Sequence, residues 1–255
     1  MRKATFFYLL RRGLLTGAGG FIRDGLVMAS KFITQGLTHP AQGSAEFDGS
    51  SDYIIAPRPL DGTLSDYTIS FWMNASTGTP VAFGTDGDTS NYALAYSNAS
   101  LMRWEVRGTF GTKTITSTIN PFTSDWIHVA IQVDNNTGTF YFDGSADSSA
   151  SAGPIDFSGN FFIGRYGGTA LKLNGNLANV AIWNRALSSD EINSAMWKGY
   201  DALEASEKSG LQAWYSLDDV ASPAASLATM EALAVDKDAT IENKAAVTAA
   251  INALS

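Results

Sequence analysis

Four aromatic residues, Tyr92, Tyr96, Trp104 and Tyr166, carry the clearest chemistry that the chain offers. Exposed rings can lie against the apolar faces of sugars while nearby Asp and Asn side chains hydrogen-bond to the hydroxyls. These four are therefore the candidate ligand-binding residues. Trp72, Trp126 and Trp183 fall inside strand-patterned runs and are expected in the core. Other chemistries lack their parts. There is no cysteine, hence no disulfide, no thiolate nucleophile and no cysteine metal site. His39 precedes Pro40 in a linker-like stretch, and His128 stands in a strand pattern, where a structural hydrogen-bonded role is expected. Neither supports a nucleophilic triad, and no phosphate loop or zinc spacing occurs. The oxygen-rich stretch Asp86-Gly87-Asp88-Thr89-Ser90-Asn91 matches only the first positions of an EF-hand.

The elements that must position these residues read as mainly β. Tyr67, Ile69, Phe71 and Met73 alternate with other residues, as do Ile127, Val129, Ile131 and Val133, so each set shares one strand face. The stretch Asp134-Asn135-Asn136-Thr137-Gly138 then turns the chain into Thr139-Phe140-Tyr141-Phe142, a hairpin signal. Further strands are expected at 53–56, 81–83, 92–96, 101–107, 113–118, 161–163 and 177–183. This spacing suits a two-sheet antiparallel β-sandwich over residues 43–187.

Residues 1–42 read as a separate arm. Its apolar clusters include Phe6, Phe7, Leu9 and Leu10, then Phe21 and Ile22, with Arg11 and Arg12 between them. Short helices with an apolar side are expected, broken at Gly17-Ala18-Gly19-Gly20. These residues are the candidate partner contacts, with folding back onto the sandwich as the alternative. In residues 188–255, Ser188 and Glu191 form a capping box that predicts a helix to about Lys198. An apolar strand follows at 211–217, and Ala-rich stretches at 221–234 and 240–254 read as helices.

Hydrophobic residues make up 45% of the 255 and charged residues 16%, a globular balance. Net charge is −8, unevenly spread. Residues 1–40 hold six basic side chains against Asp24, a net of +5, which leaves −13 on the rest. An acidic body disfavours nucleic acid as the main partner. No apolar run has the length of a membrane-spanning helix. The seven residues 4–10, cut off by Arg11-Arg12, are too short for a cleaved signal to be expected.

The sandwich resembles the laminin-G-like domains of the concanavalin A-like lectin/glucanase superfamily. The resemblance rests on Phe47-Asp48-Gly49-Ser50-Ser51-Asp52-Tyr53-Ile54, Thr68-Ile69-Ser70-Phe71-Trp72, Trp126-Ile127-His128-Val129-Ala130 and Phe140-Tyr141-Phe142-Asp143-Gly144. Ile163-Gly164-Arg165 and Ile182-Trp183-Asn184-Arg185-Ala186-Leu187-Ser188 complete it. It implies a jelly-roll fold. In that family a Gly-Leu-x-Ala-Tyr-x-x-Leu-Asp strand precedes the Phe-Asp-Gly motif. Here Gly210-Leu211-Gln212-Ala213-Trp214-Tyr215-Ser216-Leu217-Asp218 follows the domain and is expected to fill the vacant place in the sheet. The resemblance also implies a calcium ion beside Asp48 and Asp52, although the acids of the family's last strand are replaced by Ala178 and Asn179. Glucanases of the family carry a Glu-x-Asp-x-x-Glu or Glu-x-Asp-x-Glu strand that sets a carboxylate pair about 5 Å apart. Glu46, Glu105, Glu191, Glu204, Glu207, Glu231 and Glu242 stand apart from such partners, so no enzyme is expected.

The combined reading is a non-enzymatic virion protein of bacteriophage type, a head-decoration or tail-fibre component at the particle surface. Other virion proteins would be held through residues 1–42, host glycans are possible ligands, and a homo-oligomer is expected. The alternatives are a secreted or cell-surface bacterial lectin and, less well supported, a glycoside hydrolase.

Overall fold

Period-two alternation decides where each strand places its side chains. The computed structural model describes residues 43–217 apart from 86, 87, 158 and 167–170. Its strands are β1 (Ala45–Asp48), β2 (Ile54–Ala56), β3 (Gly62–Leu64), β4 (Tyr67–Thr77) and β5 (Val81–Gly84). Next come β6 (Tyr92–Asn98), β7 (Leu101–Gly108), β8 (Gly111–Thr116), β9 (Ile127–Asp134) and β10 (Thr137–Phe142). The last five are β11 (Ser145–Ser151), β12 (Ile155–Phe157), β13 (Asn160–Ile163), β14 (Asn174–Trp183) and β15 (Leu211–Tyr215). A first sheet runs β1–β14–β4–β9–β10–β11, with β15 also on β14. A second runs β2–β13–β5–β6–β7–β8, and β3 pairs with β12. All the pairings are antiparallel, and the fold is the expected mainly-β sandwich. Tyr67, Ile69, Phe71 and Met73 of β4 and Val129, Ile131 and Val133 of β9 meet Phe83, Trp104 and Phe161 of the facing sheet in one buried core.

The centre of the first sheet is buried on both faces, which alternation alone did not predict. Its outer face lies under the segment after β14, which holds the helices α1 (Ser189–Ala195) and α2 (Ala205–Lys208). Leu187, Ile192, Ala195 and Leu203 pack on Ala130, Ala181, Trp183 and Trp214. The Trp72 indole donates to the Met196 carbonyl at 2.9 Å, and the Trp183 indole to the Glu207 carbonyl at 2.7 Å. The guanidinium of Arg185 donates to both carboxylate oxygens of Glu191 and to the carbonyls of Ser206 and Ser209. Ser188 and Glu191 form the predicted capping box, but α1 stops at Ala195, where the chain turns to set Trp197 against Trp72, 5.3 Å between ring centroids.

Residues 211–215 occupy the edge of β14. They pair with its second half, Trp183 opposite Leu211 and Val180 opposite Tyr215, while β1 pairs with its first half, Leu177 opposite Ala45 and Asn174 opposite Asp48. The other edge of β14 belongs to β4, so β1 and β15 lie end to end. A bulge at Asn179, φ +49°, lets its N–H reach the Ser216 carbonyl where the two short strands meet. The expected helices at 221–234 and 240–254 and the whole arm, with Phe6, Phe7, Leu9, Leu10, Arg11, Arg12, Phe21 and Ile22, lie outside the described residues.

Candidate functional site

The outer face of the second sheet brings two of the four candidate aromatics together. On β6, Ala93 and Ala95 point into the core, so Tyr92, Leu94 and Tyr96 point outward. On β7, Met102, Trp104 and Val106 point inward and Arg103, Glu105 and Arg107 outward. Antiparallel register then sets Leu94 opposite Glu105, between Tyr92 opposite Arg107 and Tyr96 opposite Arg103. The Tyr92 hydroxyl donates to one carboxylate oxygen of Glu105 at 2.5 Å and the Tyr96 hydroxyl to the other at 3.0 Å. Burial, and then the Glu105 carboxylate, push the Tyr92 phenol above its ordinary pKa. Both rings are half-buried and pack on an apolar floor of Ala82, Leu94 and Phe162. Two ring faces around a held carboxylate, flanked by guanidinium groups, form a surface that can stack on a sugar and hydrogen-bond its hydroxyls.

Trp104 is not part of this surface. It is fully buried, and its indole donates to the Tyr67 hydroxyl at 3.1 Å. The signal was present in the sequence, since Met102 and Val106 flank it at alternate positions and share its inward face. The same alternation pairs Glu105 with Arg103 and Arg107, which sequence reasoning passed over. Tyr166 is also corrected. Only 6% exposed, it packs against Tyr92, 5.4 Å between centroids, and its hydroxyl donates to the Asp88 carbonyl at 2.6 Å. It is a wall that supports Tyr92. A Cβ at Gly84 would lie 2.7 Å from its hydroxyl, so this close approach requires glycine.

Among the described residues, no carboxylate lies opposite Glu105 on either neighbouring strand. Its neighbours across the sheet are Leu94 and Thr114. A paired-acid glycosidase geometry is not built at this position.

The Asp48–Asp52 loop does not fit a calcium ion. Both Asp48 carboxylate oxygens accept hydrogen bonds from its own turn: the N–H groups of Ser50, Ser51 and Asp52 and the hydroxyls of Ser50 and Ser51. These donors, the Ser50 hydroxyl foremost, hold its pKa far below the carboxylate range. The Lys172 ammonium donates to the Ser50 carbonyl, placing a fixed cation at the loop. β1 register sets Asp48 opposite Asn174, about 13 Å along the strand from Ala178. Among the described residues no group of three or more His, Asp or Glu side chains is placed to hold a metal ion. Among those residues, too, no helix is long and apolar enough to cross a membrane.

His128 is buried beneath α1, but its role differs from the expected one. Its Nδ1 has no hydrogen-bond partner, and its ring packs edge-on against Trp72, 5.4 Å between centroids. What it contributes is packing.

No curated protein matches the chain by sequence. Among solved structures it is similar to a "putative carbohydrate binding protein" from Bacteroides ovatus, at 19% identity and a TM-score of 0.54, covering 73% of this chain and 54% of that one. The chain thus spans about half the length of that protein. It is also similar to domain 4 of AbnA, an extracellular arabinanase from Geobacillus stearothermophilus determined in complex with arabinotriose, at 20% identity and a TM-score of 0.50, covering 65% of this chain and 84% of that one. At these identities the likeness is one of fold. A family model describing the concanavalin A-like lectin/glucanases superfamily, laminin-G type, matches residues 48–193, more than half of the chain. By fold, motif and family match, the chain belongs to the concanavalin A-like lectin/glucanase superfamily.

Proposed function

We propose that this chain is a non-enzymatic carbohydrate-binding protein that displays its sandwich on a bacteriophage particle, as a head-decoration or tail-fibre component. The observation that carries the carbohydrate reading is the cluster of Tyr92, Glu105 and Tyr96 on an outer sheet face. Support comes from the likeness in fold to the Bacteroides carbohydrate-binding protein and to the arabinanase domain with its bound arabinotriose. The solitary position of Glu105 favours binding over hydrolysis. The virion placement rests on the contrast between a basic, apolar arm and an acidic body. Residues 1–42 anchor the protein to the particle, and glycans on the host surface are the ligand.

Two experiments test the two halves. Glycan-array binding by the full chain is expected, with affinity lowered roughly ten- to thirtyfold in Tyr96→Ala. An array without a hit, or a variant that binds as well as the parent, overturns the carbohydrate half. Deleting residues 1–40 is expected to abolish incorporation into particles while the sandwich stays folded. Normal incorporation of the truncated protein overturns the virion half.

A further inference from the structure

On the glycan-binding reading of the second sheet's outer face, on which this inference rests, the charge pattern selects the class of sugar. Residues 43–217 carry nine Lys and Arg against eighteen Asp and Glu, a net charge of −9. Against that acidic background, Arg103 and Arg107 flank the tyrosine cluster on β7. The one carboxylate between them, Glu105, is already engaged by two phenols. Neither arginine forms an ion pair among the described residues, whereas Arg58, Arg185 and Lys198 each do. The Nε of Arg103 is shielded from water and has no hydrogen-bond partner. A shielded guanidinium donor without an acceptor is unfavourable until something supplies one. Planar guanidinium groups match carboxylates with two parallel hydrogen bonds. Four residues of strand separate the two arginines by about 13 Å, too far to share one carboxylate. On the far side of β7, Thr116 and Thr112 lie opposite them and add hydroxyls along the same track.

We propose that this face binds an acidic polysaccharide whose sugars bear carboxylates, with Arg103 and Arg107 taking acid groups on separate sugar units and Tyr92 and Tyr96 stacking on the rings. Titration calorimetry on the full chain would compare oligogalacturonate, its carboxyl-reduced neutral counterpart and dextran sulfate oligosaccharide. The uronate is expected to bind about tenfold more tightly than the reduced form, and added salt should erode that advantage. Arg103→Gln and Arg107→Gln should each remove most of the advantage of the uronate over the reduced form, with a smaller loss of affinity for the reduced form itself. Arg107 is exposed, so its variant keeps the fold and keeps the test decisive. Equal affinity for the uronate and the reduced form, or unchanged binding in the Arg107 variant, overturns the acidic-sugar assignment and leaves the glycan reading standing. Binding of dextran sulfate alone overturns the carboxylate assignment in favour of a sulfated sugar. Binding of none of the three overturns the acidic-sugar assignment, and the glycan reading beneath it falls only if the array is also without a hit.

Discussion

His128 ties the residue scale to pH. It lies beneath α1 beside a cavity of about 10 Å³ that Ser70, Trp72, Asn179, Met196 and Lys198 also line. Burial lowers its pKa from 6.5 to about 3. Lys198 is the charged group facing it, and that ammonium is paired with Glu207 at 2.7 Å. Between about 3 and 6.5 the unfolded chain takes up a proton that the folded chain refuses, so stability falls as pH drops through that window. In His128→Gln the fall should be shallower by on the order of a few kcal/mol, read from urea midpoints across that range. Parallel curves for parent and variant would refute the account. The residue scale is also where the sequence was least legible. Tyr92 and Tyr96 were identified because tyrosine on a strand is conspicuous. Arg103 went unread, and Glu105 was read only as a solitary acid, because their meaning comes from the opposite strand and register is not written in either strand alone.

At the scale of elements, four two-residue hairpins tie neighbouring strands, and in three of them both turn residues are left-handed but differ in fitness. Asn135 and Asn136 take φ of 45° and 64°, and Asp143 and Gly144 take 47° and 77°. Asparagine, aspartate and glycine tolerate this left-handed geometry, which matches the twist of the strands. The β6–β7 turn instead uses Ala99 and Ser100, at 49° and 70°. Left-handed backbone costs an ordinary residue about 1–2 kcal/mol. The double substitution Ala99→Asn with Ser100→Gly should therefore raise unfolding free energy by about 1–2 kcal/mol, seen as a melting temperature several degrees higher. No gain in chemical denaturation would mean that the turn is built otherwise. The hairpin at Asn135-Asn136 was legible from its turn residues, and the one at Asp143-Gly144 only through the family resemblance. Strand β11 was not read, because Ser145-Ala146-Asp147-Ser148-Ser149-Ala150-Ser151 lacks β-branched and aromatic residues. It is a strand through its pairing to β10. The short partners β3 and β12 escaped for the same reason of context, since each has three residues and is paired only with the other.

At the scale of the whole molecule, the sandwich is closed by two strands from its opposite ends. Residues 211–217 were readable as the missing family strand because the Gly-Leu-x-Ala motif survives displacement along the chain. Their energetic weight is visible only in the fold. Ala213, Tyr215 and Leu217 belong to the main core, and Leu211 and Trp214 to the cluster under the helices. Burying each large apolar side chain contributes about 1.5–3 kcal/mol. Four such side chains together approach the 5–15 kcal/mol that holds a domain folded. Removing them also uncovers the backbone of β14 from Val180 to Trp183, an open edge that invites pairing with another chain. A chain ending at residue 217 should unfold in urea as one cooperative step by tryptophan fluorescence. A chain ending at residue 209 should lose that transition and elute as aggregate in size exclusion. If the shorter chain instead melts cooperatively at the temperature of the longer one, β15 does not complete the sandwich and the permuted-strand account fails.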